Sequence, residues 1–276
     1  MLHYQVINRE TTRPWVVFLH GAGGGISSWH WQRPAFEAAF RILLIDLRDH
    51  GHSKGITPAF NSYTFDIICT DIFRVLEVEK IGRAHFVTLS FGSVLLQALS
   101  LRKPDLIEKA VIAGGIFKGT TAIVAFTNLA RWLNPFLSYP TMYRIFSYLL
   151  MPRPNHARAR RAYQLQAKNL SREEYLKWVA LYAEFFALLK KFYELPLPYP
   201  ALLIMGAEDY VFLGGAKSFV QKHPRAVLRV LPHAGHICNI DRPQAFNELA
   251  LNFLLDTHQS QTPTGARPHL GEVREG

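Results

Sequence analysis

Short uninterrupted apolar runs alternate with longer stretches of helical periodicity over the first 116 residues and again after residue 199. VVFL at 16–19, RILLI at 41–45, AHFV at 84–87 and ALLIM at 201–205 lack the polar alternation of half-exposed strands, as expected when a sheet is covered on both faces. The pattern predicts strands at about 2–7, 14–19, 41–46, 84–89, 109–114, 200–206 and 226–231. Helices are predicted at about 28–39, 64–78, 91–102, 213–222 and 242–256, the third closed by Pro104, which cannot continue a helix. Strands alternating with helices make an α/β protein with a mostly parallel sheet flanked by helices.

Between Phe117 and Pro198 the alternation stops, and the chain reads as consecutive helices separated by Pro135, Pro140, Pro152 and Pro154. Ser171 followed by Glu174 is the signature of a capping box opening one of them. This divides the chain into a core at 1–116 and 199–256, an inserted helical segment at 117–198, and a tail at 257–276. The tail lacks aromatic residues and is expected to be disordered. The inserted segment, counted over 116–198, holds 12 Lys and Arg against 4 Glu, and 16 of the 35 aromatic residues. It reads as a lid over a site, as a surface for a partner, or as an ordinary solvated basic face.

At 276 residues the chain is long enough for one large domain or one domain with an insertion. With 49% hydrophobic and 19% charged residues, it is neither disordered, collagenous nor coiled-coil. Two cysteines, Cys69 and Cys238, exclude a disulfide framework and a Cys-rich zinc module. The first residues lack an apolar stretch behind a basic start, so no secretory signal is predicted and the expected location is cytoplasmic. Glycine, serine, glutamine and histidine interrupt the uncharged runs at 14–32 and 84–101, so no spanning helix is expected. The net charge of +10 and pI of about 9.7 suit an anionic partner. No nucleic-acid motif accompanies the charge, so nucleic acid is not expected as a partner; weak contact of the basic insertion with a membrane surface is compatible with it.

Three turns that follow predicted strands carry the candidate chemistry, at the positions where open α/β sheets place their ligands. The first, His20-Gly21-Ala22-Gly23-Gly24-Gly25, does not complete a dinucleotide fingerprint, since position 26 is Ile, and no Gly-Lys-Ser/Thr closes it as a phosphate loop. What remains is a turn that brings backbone N–H groups towards a developing negative charge. The second, Thr88-Leu89-Ser90-Phe91-Gly92, puts a serine between a strand and a helix, with the N–H of Phe91 facing the place where an oxyanion would form. Thr88 stands where the usual G-x-S-x-G pattern has glycine, and a serine that merely caps the helix is the alternative. The third is a pair, Asp209 after one strand and His236 after the last. Ser, Asp and His in that order, each after a strand, are what nucleophilic acyl transfer needs.

With these residues in view, the sequence resembles the α/β-hydrolase fold superfamily of serine esterases and lipases. The resemblance runs from about Trp15 to Leu255 through H-G-A-G at 20–23, D-L-R-D-H-G-H-S at 46–53, T-L-S-F-G at 88–92, G-A-E-D at 206–209 and A-G-H at 234–236. It implies Ser90 as nucleophile, Asp209 as acid with Glu208 as the fallback, His236 as base, and an oxyanion hole from the N–H groups of Ala22 and Phe91. It also implies that 117–198 is a helical cap. Family members that dehalogenate or open epoxides have aspartate at the nucleophile position, so Ser90 disfavours those activities.

His20, Trp29, Leu89, Tyr210 and Val211 flank these turns and are the candidate pocket lining, with His20 read as structural rather than catalytic and Trp29 as pocket or core. Asp46, Arg48, His50 and His52 are expected to brace the site as a polar network, with His50 also placed to contact substrate. His233 and His236 lie on a loop with no third ligand, so no metal and no cofactor is expected. The expected reaction is hydrolysis of a small-molecule carboxylic ester or lactone with an apolar acyl part. N-acyl-homoserine lactonase, C–C bond hydrolase and acyltransferase activities use the same three residues. A ligand-binding module with little turnover is the reading from a different class. The oligomeric state is not legible.

Overall fold

A computed structural model describes residues 1–134, 136–168 and 170–256; the tail at 257–276 lies outside the described residues. Seven strands form one sheet: β1 (Tyr4–Ile7), β2 (Trp15–Leu19), β3 (Arg41–Ile45), β4 (Ala84–Leu89), β5 (Ile107–Ala113), β6 (Ala201–Gly206) and β7 (Ala226–Leu231). Their order is β1-β3-β2-β4-β5-β6-β7, with β1 antiparallel to β3 and every other pair parallel. Every residue of the central strands β2, β4 and β6 is buried, whereas edge strand β7 exposes Arg229 and Val230. The unbroken apolar runs therefore mark the strands with helices over both faces.

Among the described residues, the helices are α1 (Arg33–Glu37), α2 (Phe65–Val78), α3 (Phe91–Arg102), α4 (Thr121–Leu133), α5 (Tyr139–Leu150), α6 (Ala157–Ala167), α7 (Arg172–Val179), α8 (Tyr182–Glu194), α9 (Leu213–Lys222), α10 (Cys238–Asp241) and α11 (Pro243–Leu255), with short 3₁₀ turns between some of them. The helix expected at 28–39 is not continuous. A 3₁₀ turn at Ile26–Trp29 is followed by the short α1, which has Pro34 in its first turn. Pro34 lacks the N–H that would bond back to His30, so a new helix starts instead of the old one continuing.

α4 to α8 are inserted between β5 and β6. Pro140 opens α5, and α7 opens on the predicted capping box: the Glu174 N–H donates to Ser171 Oγ (3.1 Å), and the Ser171 N–H donates to Glu174 Oε2 (2.7 Å). No helix among the described residues is long and apolar enough to cross a membrane.

Candidate active site

β4 ends at Leu89 and α3 begins at Phe91, leaving Ser90 alone at the corner with φ 50° and ψ −118°. A non-glycine residue in this region is strained, and such strain persists only where the surroundings hold it. Here Gly92 permits the corner. A Cβ on it would lie 2.5 Å from the Leu19 carbonyl oxygen and 2.8 Å from that of His20, so α3 rests directly on the end of β2. Thr88 is accommodated within β4, fully buried and in register with Leu19 and Ile112. Its branched Cβ leaves the corner in place.

Although Ser90 occupies the N-cap position of α3, its side chain makes no capping bond. It turns instead to His236, with Oγ 2.8 Å from Nε2. On the other side of the ring, Nδ1–H donates to Asp209 Oδ2 at 2.8 Å. Asp209 Oδ1 is in turn held by the N–H groups of Phe212 (3.0 Å) and Val211 (3.3 Å). Both His236 and Asp209 are buried. Their loops follow β7 and β6 and meet at Gly206, where a Cβ would stand 2.2 Å from the Gly235 carbonyl oxygen.

The turn at 20–25 lies against the serine: a Cβ on Gly21 would be 3.1 Å from that of Ser90. The N–H groups of Ala22 and Phe91 have no hydrogen-bond partner among the described residues. Two neutral imidazoles fix this turn. The Gly23 N–H donates to His50 Nε2 (3.0 Å), whose Nδ1–H donates to the Arg48 carbonyl (2.9 Å). The Leu47 N–H donates to His20 Nε2 (3.0 Å), whose Nδ1–H donates to the Gly21 carbonyl (2.8 Å). Each ring accepts at Nε2 and must be uncharged to do so. Burial enforces this, lowering the His50 pKa to about 3 and depressing that of His20. Asp46 completes the brace, accepting from the Ile26 N–H (2.8 Å), His3 Nδ1 (2.8 Å) and the His52 N–H (3.0 Å).

This brace yields two stability predictions. Arg48 forms a buried two-pronged pair with Asp71 (2.7 and 2.8 Å) and donates to the carbonyls of Ile56 and Pro58. Asp71→Ala strands that charge and is expected to lower stability by about 3–5 kcal/mol, read by urea unfolding. The second prediction concerns pH. His20, His50 and His85, the last lowered to about 4, are all depressed chiefly by burial. As pH falls through the ordinary imidazole value of about 6.5, the unfolded chain binds protons that the folded chain refuses, so stability is lost. The expected loss is roughly 1 kcal/mol for each of His50 and His85 by about pH 5.5, with His20 adding in the same direction. It should appear as a fall in Tm between pH 7 and pH 5.5, and a flat Tm over that range would contradict it.

The sequence matches the family model described as the alpha/beta hydrolase family over residues 16–249. The chain belongs to the alpha/beta hydrolase family. Relatives of this hydrolase include the 2-hydroxymuconate semialdehyde hydrolase of Pseudomonas sp. strain CF600, 26% identical over 256 residues, covering 87% of each chain. Another is 3-oxoadipate enol-lactonase 2 of Acinetobacter baylyi, 27% identical over 258 residues, covering 86% of this chain and 87% of that one. Among solved structures, the enol-lactonase of Burkholderia xenovorans LB400 superposes with a TM-score of 0.79 at 24% identity, covering 92% of this chain and 96% of that one.

Among the described residues of this hydrolase, one cavity is lined by Ser90 and a second, lined by Phe91, shares Ala22 with it; the expected lining residues are not all in them. Leu89 lines the first cavity. Trp29 instead packs in the core against Phe18 (5.0 Å between rings), and His20 is consumed by its two hydrogen bonds. Tyr210 is 58% exposed, its hydroxyl taking a bond from Arg153 Nε (2.9 Å), while Val211 donates its N–H to Asp209, packs against the core and lines neither cavity. The walls of the first cavity come from Ala162, Tyr163 and Gln166 of α6, and from Ile237 and Ile240 beside His236. Ile237 adjoins His236 in the sequence, whereas nothing in the one-dimensional pattern says which inserted helix lies over the serine.

The second cavity begins at Ala22 and Gly23 and includes the ring of His50, so that residue both braces the turn and faces open space. Neither cavity is lined by Lys or Arg. The basic insertion therefore places no cation at these walls that could hold an anionic substrate. Glu208 is turned away from His236. Its carboxylate is held by His156 Nε2 (2.7 Å), Asn155 Nδ2 (2.9 Å) and Arg153 (3.2 Å), all from the insertion.

Proposed function

We propose that this hydrolase cleaves a carboxylic ester or lactone with an uncharged, apolar acyl part through a serine acyl-enzyme. The carrying observation is the unbroken line of hydrogen bonds from Ser90 through His236 to Asp209, at 2.8 Å each, beside two backbone donors with no other partner. Ser90 Oγ attacks the carbonyl carbon as its proton passes to His236 Nε2. Asp209 holds the ring in the tautomer that leaves Nε2 free to accept, and stabilises the imidazolium that forms. The N–H groups of Ala22 and Phe91 take the oxyanion. Collapse of the tetrahedral intermediate breaks the bond to the alkoxide, which leaves with the proton from His236. Water then attacks the acyl-enzyme, giving its proton to the same nitrogen, and the carboxylic acid departs as Ser90 regains its hydrogen. The residues supply all the chemistry, without a cofactor. The helices at 117–198 act as the cap that shields the acyl-enzyme.

The similarity to an enol-lactonase supports the ester and lactone reading, and the similarity to a semialdehyde hydrolase makes C–C cleavage the competing outcome. The test is turnover of the purified protein on short-chain esters, lactones and an activated diketone, with Ser90→Ala as control. Ser90-dependent release of acid from esters or lactones is expected. Turnover of the diketone alone would replace this reading with C–C hydrolysis.

A further inference from the structure

The two cavities differ in what surrounds them, and only one contains the proton donor for the departing group. The first holds Ser90 and His236, with Leu89, Ala162, Ile237 and Ile240 as aliphatic walls and Tyr163 as its one aromatic side chain besides His236, beside the polar Ser28 and Gln166. The second lies on the far side of Ala22, which lines both, and contains neither Ser90 nor His236. A leaving alkoxide must lie within hydrogen-bond reach of His236 Nε2 to be protonated. The leaving group therefore belongs in the first cavity, and the acyl chain must run past Ala22 and Phe91 into the second.

That second cavity is walled mainly by rings, those of His50, Phe91, Tyr143, Tyr175, Trp178 and Tyr182, with Leu170 and Val179 as its aliphatic members. Trp178 stands perpendicular to His50 at 4.8 Å and nearly perpendicular to Phe91 at 5.9 Å between centroids. Tyr143 meets Tyr175 edge-on at 6.2 Å. Edges and faces presented together suit a flat aromatic guest better than an aliphatic one of equal size, since each ring pair adds to what burial alone gives. The walls carry no charge: burial holds the tyrosine hydroxyls protonated and the His50 ring neutral. At its start, Tyr143 crowds Gly23, where a Cβ would lie 2.5 Å from the ring.

We infer that the acyl part of the substrate is a neutral aryl or arylalkyl group seated among these rings, joined to a small aliphatic alcohol on the His236 side. This rests on the serine-hydrolase reading above and adds which arm is aromatic.

Two isomers separate the possibilities. Methyl phenylacetate carries its ring on the acyl side, and benzyl acetate carries the same ring on the alcohol side. With kcat/KM for each divided by its hydroxide-catalysed rate, methyl phenylacetate is expected to be favoured by about tenfold or more, and favoured over methyl cyclohexylacetate by about 2–10-fold. In Trp178→Leu the phenyl-to-cyclohexyl ratio should fall towards one; being a ratio within one protein, it is insensitive to how much of the variant folds. Ser90-dependent hydrolysis with equal or reversed preference between the isomers would overturn the inference and leave the hydrolase reading standing. Absence of Ser90-dependent hydrolysis for every ester and lactone would overturn both.

Discussion

Ser90→Ala is expected to lower kcat on any productive ester by about 10⁶-fold, leaving only the acceleration that the oxyanion donors and binding supply, about 10³–10⁴ over water. The effect is this large because alanine removes the proposed nucleophile while leaving the site otherwise assembled. Gly92 still rests on β2, the turn at 20–25 stays fixed by His20 and His50, and His236 keeps Asp209. The fold should therefore survive, so thermal melts run beside the kinetics separate lost chemistry from lost structure. A variant with unchanged Tm and full turnover would remove Ser90 from the mechanism.

Asp209→Asn is expected to cost about 10⁴-fold in kcat, for a reason legible in the hydrogen bonds around it. Asp209 Oδ1 accepts from two backbone N–H groups, so an asparagine must place its carbonyl oxygen there and turn its NH₂ towards His236. That NH₂ donates where the carboxylate accepted, forcing Nδ1 to become the acceptor and moving the ring proton to Nε2. The ring can then no longer take the serine proton. Binding makes no use of this swap, so the loss should fall on kcat with KM little changed. A parallel rise in KM would indicate that the loop after β6 had moved instead.

Much of the fold is written in local pattern. VVFL, RILLI, AHFV and ALLIM become buried strands because only a run without polar alternation can be covered on both faces. The break near Pro34 shows where periodicity misleads: 28–39 reads as one helix until the missing N–H of a single residue divides it. The turns bearing Ser90, Asp209 and His236 were legible because each directly follows a strand, and parallel strands gather those ends on one edge. The cavity walls were not. Trp29 lies close to the first turn in sequence yet fills the core, whereas Tyr163 and Gln166, more than 70 residues beyond Ser90, form the wall above it. Those contacts depend on how α6 lies across the loops, which no local spacing encodes. His50 occupies the middle ground. Its membership of a polar brace follows from the D-L-R-D-H-G-H-S run, but its second role, as one side of an aromatic cavity, appears only when Trp178 is placed beside it.

The most direct test of the account is labelling with a fluorophosphonate, which reports whether a serine is activated without requiring the substrate to be known. A single adduct on the peptide containing Ser90, lost in His236→Ala, is expected. An absence of labelling in folded protein, or an adduct on a different serine that survives His236→Ala, would contradict it.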